Sequence, residues 1–379
     1  MRENMPVNTR LRVSLCLLLA GFWLAVVPAH GAVVQGLYEA RVPVADQSAA
    51  QRSAALQQAF AAVLVKVTGT RAATGTLTSV LGNPSQYVQQ YRYEKVAPDP
   101  SAAAAQPPTT PALVLWARFD ATVVDNALHA THAPQWGAER PRTLVWLALA
   151  DAPGGRILNA ADNSYLMQAL ATAAEQRGMT LVFPQMDGPD KAALGVPDLA
   201  GFNVDRIRQA SERYRPDAVL VGSVTPFGTG QFAAHWQLIS ADRIETWDTP
   251  AGDEVLVAVD GVQTSADRFA ARYAIAPGAG DLAAVPLEVD GVTSLDAYAK
   301  LLSYLGSLTP VRAVHVERVA QGSVYFNLDI HGSLDNLESA LVLGGMMAAS
   351  AAAPPAASGA LPPDALPAAP LRYSYVPGP

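Results

Sequence analysis

Strand and helix patterns alternate between residues 139 and 280, and this alternation constrains the fold more than any other feature. Residues 144–149 (LVWLAL) are continuously apolar, which is typical of a strand buried on both faces. An amphipathic helix then ends at Gly178, a short apolar strand and a second helix follow, and residues 218–221 make a third strand. Strand–helix–strand–helix–strand order favours parallel strands joined by right-handed crossovers. We therefore predict an α/β unit with a mixed, mostly parallel sheet, helices and a final antiparallel hairpin.

The N-terminal part, residues 32–138, predicts a smaller α+β unit. Residues 33–44 have the composition of a strand, and residues 49–66 carry an apolar stripe at helical spacing. Two further strands and a helix over residues 121–130 follow. The two strands are joined by residues 97–112, which are mostly Ala and Pro. Such a segment lacks the side chains needed to bury a core, so we predict a long loop.

Residues 284–345 predict a third unit of the order βαββα. The run Thr293-Ser-Leu-Asp296 resembles a capping box ahead of an amphipathic helix, and residues 323–330 alternate polar and apolar side chains as a half-buried strand does. A unit of about 60 residues buries a small core, so we expect it to pack against its neighbour. The tail, residues 346–379, is rich in Ala and Pro, although residues 371–376 can add a short strand. The fold class is therefore α/β and α+β in three small units.

The first 31 residues have the layout of a secretory signal peptide. Arg2, Arg10 and Arg12 precede an apolar run over residues 13–27, and small residues flank an expected cleavage site before Ala32. This predicts a periplasmic protein with no stable transmembrane anchor after cleavage. An uncleaved anchor in the inner membrane is the alternative.

Composition excludes several classes of function for the exported chain. Without residues 1–31 it holds 23 basic and 32 acidic residues, a net charge of −9, so we expect no nucleic-acid partner. The single cysteine, Cys16, lies in the leader. The exported chain therefore has no disulfide, thiolate metal ligand or cysteine nucleophile.

Three residues are candidate metal ligands. Asp125, His129 and His132 fall at i, i+4 and i+7, so they share one face if the helix extends that far. Three such ligands can hold zinc with an open fourth position. The alternative is that the helix frays near Thr131, because Pro134 disfavours helical backbone just before it. We expect no cofactor and assign no catalytic residue.

Other candidates have simpler structural interpretations. The Gly-Thr-Gly run at 228–230 precedes a strand rather than a helix, so we interpret it as a hairpin turn and not as a phosphate loop. No Gly-x-Ser-x-Gly elbow marks a serine nucleophile. We expect structural roles for the remaining residues. His235 and His315 should lie on a sheet surface or be hydrogen-bonded in the core. Trp136 should anchor a helix end, with exposure as the alternative, and Asp187 and Asp190 should lie in a solvated turn.

Several short segments resemble the bacterial domain-of-unknown-function family 2066 (DUF2066). They occur in the same order over residues 33–343 and lie at 37–48, 65–69, 87–92, 140–146, 181–184 and 218–222. The resemblance implies an exported proteobacterial protein without an assigned activity, and it carries no site residue across. The middle unit is also similar, in topology alone, to α/β periplasmic domains of envelope machinery.

Export and the lack of a catalytic motif favour a non-enzymatic binding or adaptor protein of the cell envelope. Its expected partner is an envelope protein or peptidoglycan, contacted through an exposed sheet edge of the third unit. Two alternatives remain open at this point. One is an envelope hydrolase with a dispersed or metal-dependent site, and the other is a periplasmic protein that binds a small ligand between the first two units.

Overall fold

A computed structural model shows three main sheets with their helices and confirms the mixed α/β and α+β class. The expected leader, most of the Ala/Pro-rich loop and most of the tail lie outside the described residues. The structure describes residues 32–96, 112–150, 154–240, 243–276, 282–320, 322–343, 345–350 and 370–376.

The first unit packs a long helix against a three-stranded antiparallel sheet. Its elements are β1 (Ala32–Val33), β2 (Glu39–Val44), α1 (Ala49–Thr68), α2 (Ala73–Thr76), α3 (Thr78–Leu81), β3 (Val88–Val96), β4 (Ala112–Phe119) and α4 (Ala121–Ala130). The sheet order is β2-β4-β3, which places β4 in the centre. Helix α1 begins where the Ser48 hydroxyl accepts a hydrogen bond from the Gln51 amide and ends at Gly69, whose φ of 72° suits glycine.

The second unit is the predicted mixed sheet. Its elements are β5 (Glu139–Arg140), β6 (Arg142–Leu149), β7 (Arg156–Ile157), α5 (Tyr165–Arg177), β8 (Thr180–Val182), α6 (Gly188–Ala193), α7 (Val196–Ala200), α8 (Val204–Ser211), β9 (Ala218–Gly228), β10 (Gln231–Ile239), β11 (Ile244–Gly252) and α9 (Glu254–Tyr273). Strand β6 pairs in parallel with β8 and β9, as the crossover pattern requires. Helices α5 and α9 cover one face and α6–α8 the other, which explains why β6 is almost entirely buried.

The third unit has the predicted βαββα order and two further strands. Its elements are β12 (Leu282–Asp290), α10 (Leu295–Ser307), β13 (Val311–Ala320), β14 (Ser323–Ile330), α11 (Leu334–Leu343), β15 (Met347–Ala349) and β16 (Leu371–Tyr375). The sheet order is β13-β14-β12-β16-β15. Strand β16 therefore joins the tail to the sheet, parallel to β12. The Tyr304 hydroxyl donates to the carbonyls of Ala340 and Leu341, which ties α10 to α11.

The three units meet at the segment that follows α4. Trp136 is buried there, and its backbone N–H donates to the Val67 carbonyl at 2.7 Å. The alternative that Trp136 is exposed is therefore wrong. Strand β5 pairs with β1, and the Thr309 hydroxyl of the third unit lies 3.4 Å from the Glu139 carboxylate. Within the described ranges, no helix is long and apolar enough to cross a membrane.

Glu139 lies buried in this junction and gives it an expected pH dependence. Burial raises the pKa of Glu139 above its ordinary value of 4.5, although the hydrogen bond from Thr309 and the charge of Arg140 oppose the shift. A raised carboxyl pKa means that the native state binds a proton more readily than the unfolded state, so stability falls as the pH rises through the window between the two pKa values. Glu139→Gln should therefore melt at a higher temperature than the parent at neutral pH, and this difference should disappear below pH 4.5.

Thermal melts across the acid range test this prediction. Glu94→Gln is the control with the opposite expected sign. Burial acts to raise the pKa of Glu94, but hydrogen bonds from Arg92 and Arg41 outweigh it and lower the pKa. A melting difference for Glu139→Gln that is the same at every pH would refute the assignment.

Candidate functional site

A cavity lies between the first and second units. It has a volume of about 600 Å³ and opens to solvent. Strand β2 and the C-terminal end of α1 form one wall, while α5 and β8 form the other. Its lining residues are Val34, Gln35, Gly36, Glu39, Arg41, Lys66, Ala171, Ala174, Glu175, Gly178, Met179, Thr180, Leu181 and Phe183. We call this cavity the cleft.

Small residues on α5 leave the space that the cleft occupies. Ala171, Ala174 and Gly178 recur at intervals of three and four residues, so they share one face of the helix. Gly178 also ends the helix with a φ of 62°. Met179 and Leu181 follow it and supply an apolar floor.

An ion pair joins the two walls at the mouth of the cleft. Arg41 on β2 lies 3.5 Å from Glu175 on α5 and 3.4 Å from Glu94 on β3. The Arg41 and Glu175 side chains are half-exposed or more, so solvent screening makes these contacts weak. Breaking this ion pair therefore costs little stability.

Lys66 supplies the buried charge of the cleft. It lies on the last turn of α1, is only 7 % exposed, and donates from Nζ to the Glu39 carbonyl at 2.8 Å. Among the described residues, no carboxylate lies within 4.0 Å of this ammonium group, and no second acceptor bonds to it. Burial lowers the pKa of Lys66, although the charges of Glu175 and Glu39 oppose the shift.

Arg140 holds the wall behind Lys66 in place. Its fully buried guanidinium donates to the carbonyls of Lys66, Trp136, Gly137 and Arg177 at 2.6–2.9 Å. It also lies 3.9 Å from the centre of the Trp136 ring. The guanidinium thus links the C-terminal ends of α1 and α5, which are the elements that shape the cleft.

Arg177 makes a second link between the same elements. It donates to the Gly69 carbonyl and to the Asp267 carboxylate, each at 2.6 Å, and to the Gln263 side chain at 2.9 Å. Burial lowers the pKa of both Arg140 and Arg177, but a guanidinium remains charged at neutral pH. Two buried arginines therefore preorganise the walls of the cleft.

The structure separates the three candidate metal ligands. Helix α4 ends at Ala130 and His132 has a φ of 53°, so the helical face does not extend to it. Asp125 instead accepts a hydrogen bond from the Tyr38 hydroxyl at 2.7 Å, and burial raises the pKa of this carboxyl. His129 faces His331 with ring centres 6.5 Å apart, beside a cavity of about 90 Å³. Among the described residues, no three His, Cys, Asp or Glu side chains are grouped to hold a metal.

Most of the remaining structural interpretations are confirmed, with one correction. His235 and His315 lie on sheet surfaces, each paired with an aspartate, and residues 228–230 form the turn between β9 and β10. Asp190, however, is buried rather than solvated. It accepts hydrogen bonds from Tyr214 and Arg213 at 2.5 and 2.9 Å. These two residues are far from Asp190 in the sequence, so the local pattern around Asp190 did not predict its burial.

Comparison with known proteins corrects the family resemblance. The model of a family described as Domain of unknown function (DUF8605) matches residues 32–137, so the resemblance to DUF2066 is wrong. The segments that suggested it are short and lie in strands, in turns and at the end of α1. The matched range covers the first unit, including the β2 and Lys66 wall of the cleft.

No curated protein matches the chain. One solved structure with similarity is the crystal structure of a competence or damage-inducible protein from Enterobacter asburiae. It has 16% identity and covers 35% of this chain and 87% of that chain, with a TM-score of 0.22. A likeness at this level supports no conclusion about fold or function.

Proposed function

We propose that this chain is a non-enzymatic binding protein of the cell envelope, and that the cleft is its ligand site. The observation that carries the proposal is a cleft of about 600 Å³ with an apolar floor and a few charged groups. Sites for small ligands have this size and composition. The signal-like leader supports the location in the envelope.

The lining of the cleft favours binding over catalysis. A hydrolase needs a nucleophile next to a general base, or a metal that activates water. The residues that line the cleft include neither histidine nor cysteine, and Thr180 is their sole side-chain hydroxyl. The same lining has what a binding site needs, namely apolar contact area and a few charges that orient the ligand.

The edge of the third sheet is the alternative binding surface. Strand β13 is ten residues long and exposes Val316 and Val319. Its pairing with β14, however, is interrupted between Val311 and Ala313 and again between Val316 and Arg318. Such irregularities twist an edge away from a partner strand and are a common protection against strand addition. We therefore prefer the cleft.

Two neighbouring residues on α5 provide a matched test. Ala171 lines the cleft, whereas Thr172 is exposed and does not. With Cys16→Ser removing the native thiol, Ala171→Cys and Thr172→Cys each accept one environment-sensitive fluorophore. The probes are octanoate, octanol and octylamine, three amphiphiles with the same chain length. We expect a saturable emission change from the label at position 171 and none from the label at 172. No response at 171, or equal responses at both positions, would contradict the proposal.

A further inference from the structure

We propose that the ammonium group of Lys66 binds the carboxylate of an amphipathic ligand, whose apolar part lies against Met179, Leu181 and Phe183. This inference rests on the proposed function, because it specifies the ligand of the same cleft. It begins from the position of Lys66, which is buried, faces the cleft and has no carboxylate partner among the described residues.

Among the described residues, Lys66 makes one of the three hydrogen bonds that its ammonium group can donate. An ammonium group has three N–H donors, and the Glu39 carbonyl accepts from one of them at 2.8 Å. A buried charge without a counter-ion is unfavourable, and it is stabilised by an anion that also accepts hydrogen bonds. A carboxylate in the cleft supplies both a negative charge and acceptors for the remaining donors.

The carboxylates near Lys66 are engaged elsewhere. The side chain of Glu39 accepts from Arg118 at 2.6 Å and from the Trp116 indole at 3.1 Å, so it is held away from the ammonium. Glu175 lies at the mouth with Arg41. A ligand that enters the cleft therefore meets an ammonium group that is not paired with any carboxylate of the described residues.

The rest of the lining selects the class of anion. Arg140 lies directly behind Gly178, but its donors are taken up by backbone carbonyls. Arg41 also lines the cleft, but it is paired with Glu94 and Glu175. The remaining cation is one ammonium with two donors, which matches a singly charged carboxylate better than a doubly charged phosphate that requires more donors. Leu181 and Phe183 are partly buried apolar side chains of the floor, and they offer a surface to the hydrocarbon part of the same molecule.

Calorimetric titration with octanoate, octanol and octylamine tests this inference. We expect the parent to bind octanoate at least about 10-fold more tightly than octanol, and to bind octylamine more weakly than either, because a charge-assisted hydrogen bond contributes about 1.5–3 kcal/mol. Lys66→Met should weaken octanoate about 10- to 100-fold and leave octanol within about 2-fold. Lys300→Met is the matched control, since Lys300 is an exposed lysine paired with Asp296 at 2.9 Å.

The outcomes separate this inference from the proposed function. If octanol and octylamine bind as tightly as octanoate, or if Lys66→Met leaves octanoate binding unchanged, the carboxylate assignment is wrong, while the proposal of a ligand site in the cleft is decided separately by the labels at positions 171 and 172. If none of the three probes binds the parent, both proposals are wrong. The comparison of probes on the parent needs no variant, so it decides the question even where Lys66→Met folds poorly. Octyl phosphate binding more tightly than octanoate would also overturn the choice of anion.

Discussion

Arg140→Met should lower the free energy of unfolding by about 3–5 kcal/mol. The guanidinium is fully buried and donates to four backbone carbonyls, which come from the ends of α1 and α5 and from the segment between the first two units. Methionine fills much of the same volume but donates no hydrogen bond, so these carbonyls lose their partner in a site that water cannot easily reach. Chemical denaturation followed by tryptophan fluorescence measures the change.

Two further variants identify the cause of this loss. Arg140→Lys keeps the charge but not the planar, five-donor geometry, so it should recover less than half of the lost stability. Arg208→Met removes an exposed arginine whose hydrogen bond to the Ser240 carbonyl is 3.5 Å long, and should change stability by less than about 0.5 kcal/mol. An Arg140→Met protein as stable as Arg208→Met would show that the buried guanidinium does not hold the units together.

Gly261→Ala should destabilise the protein by about 2–3 kcal/mol, although alanine is normally the better helix former. Gly261 lies on α9 against the Trp236 indole, and a Cβ at this position would overlap the ring. The ring has no room to move, because Gly222 packs against its other side and its Nε1 donates to the Thr249 hydroxyl at 3.0 Å. The clash must therefore be relieved by displacing α9 from the sheet.

Gly306→Ala is the same substitution in a helix with open space around it. Gly306 lies near the end of α10, and outside its own helix no atom of the described residues would lie within 4 Å of an added Cβ. This variant should gain up to about 1 kcal/mol from helix propensity. Melting temperatures of the two variants should thus move in opposite directions. A shift of the same sign in both would mean that close packing of Trp236 is not the reason for glycine at 261.

Local sequence signals predicted most of the secondary structure because their causes are local. The continuous apolar run of β6, the polar–apolar alternation of β14 and the glycine that ends α5 each act within a few residues. The predicted bounds of the strand near the N-terminus were less accurate. The strand predicted over residues 33–44 is divided into β1 (Ala32–Val33) and β2 (Glu39–Val44), since Gly36 turns the chain with a φ of 71°.

The cleft could not be predicted in the same way, because its two walls come from different units. Ala171, Ala174 and Gly178 look like an ordinary small-residue face until β2 is placed opposite them. One signal was present for Lys66, which follows Val63, Leu64 and Val65 in the apolar C-terminal half of α1. A charge at that position indicates either a long side chain that reaches solvent or a buried functional group, and only the fold distinguishes the two.

The most direct test of the binding cleft is to block it. Ala171→Trp places an indole in the cleft, whereas Thr172→Trp places the same group at an exposed position of α5 outside the cleft lining. The measurement is the dissociation constant, by calorimetry, of whichever eight-carbon probe binds the parent most tightly. If the cleft is the ligand site, Ala171→Trp abolishes binding and Thr172→Trp binds like the parent. Equal affinities for the two variants would place the ligand elsewhere and contradict the proposed function.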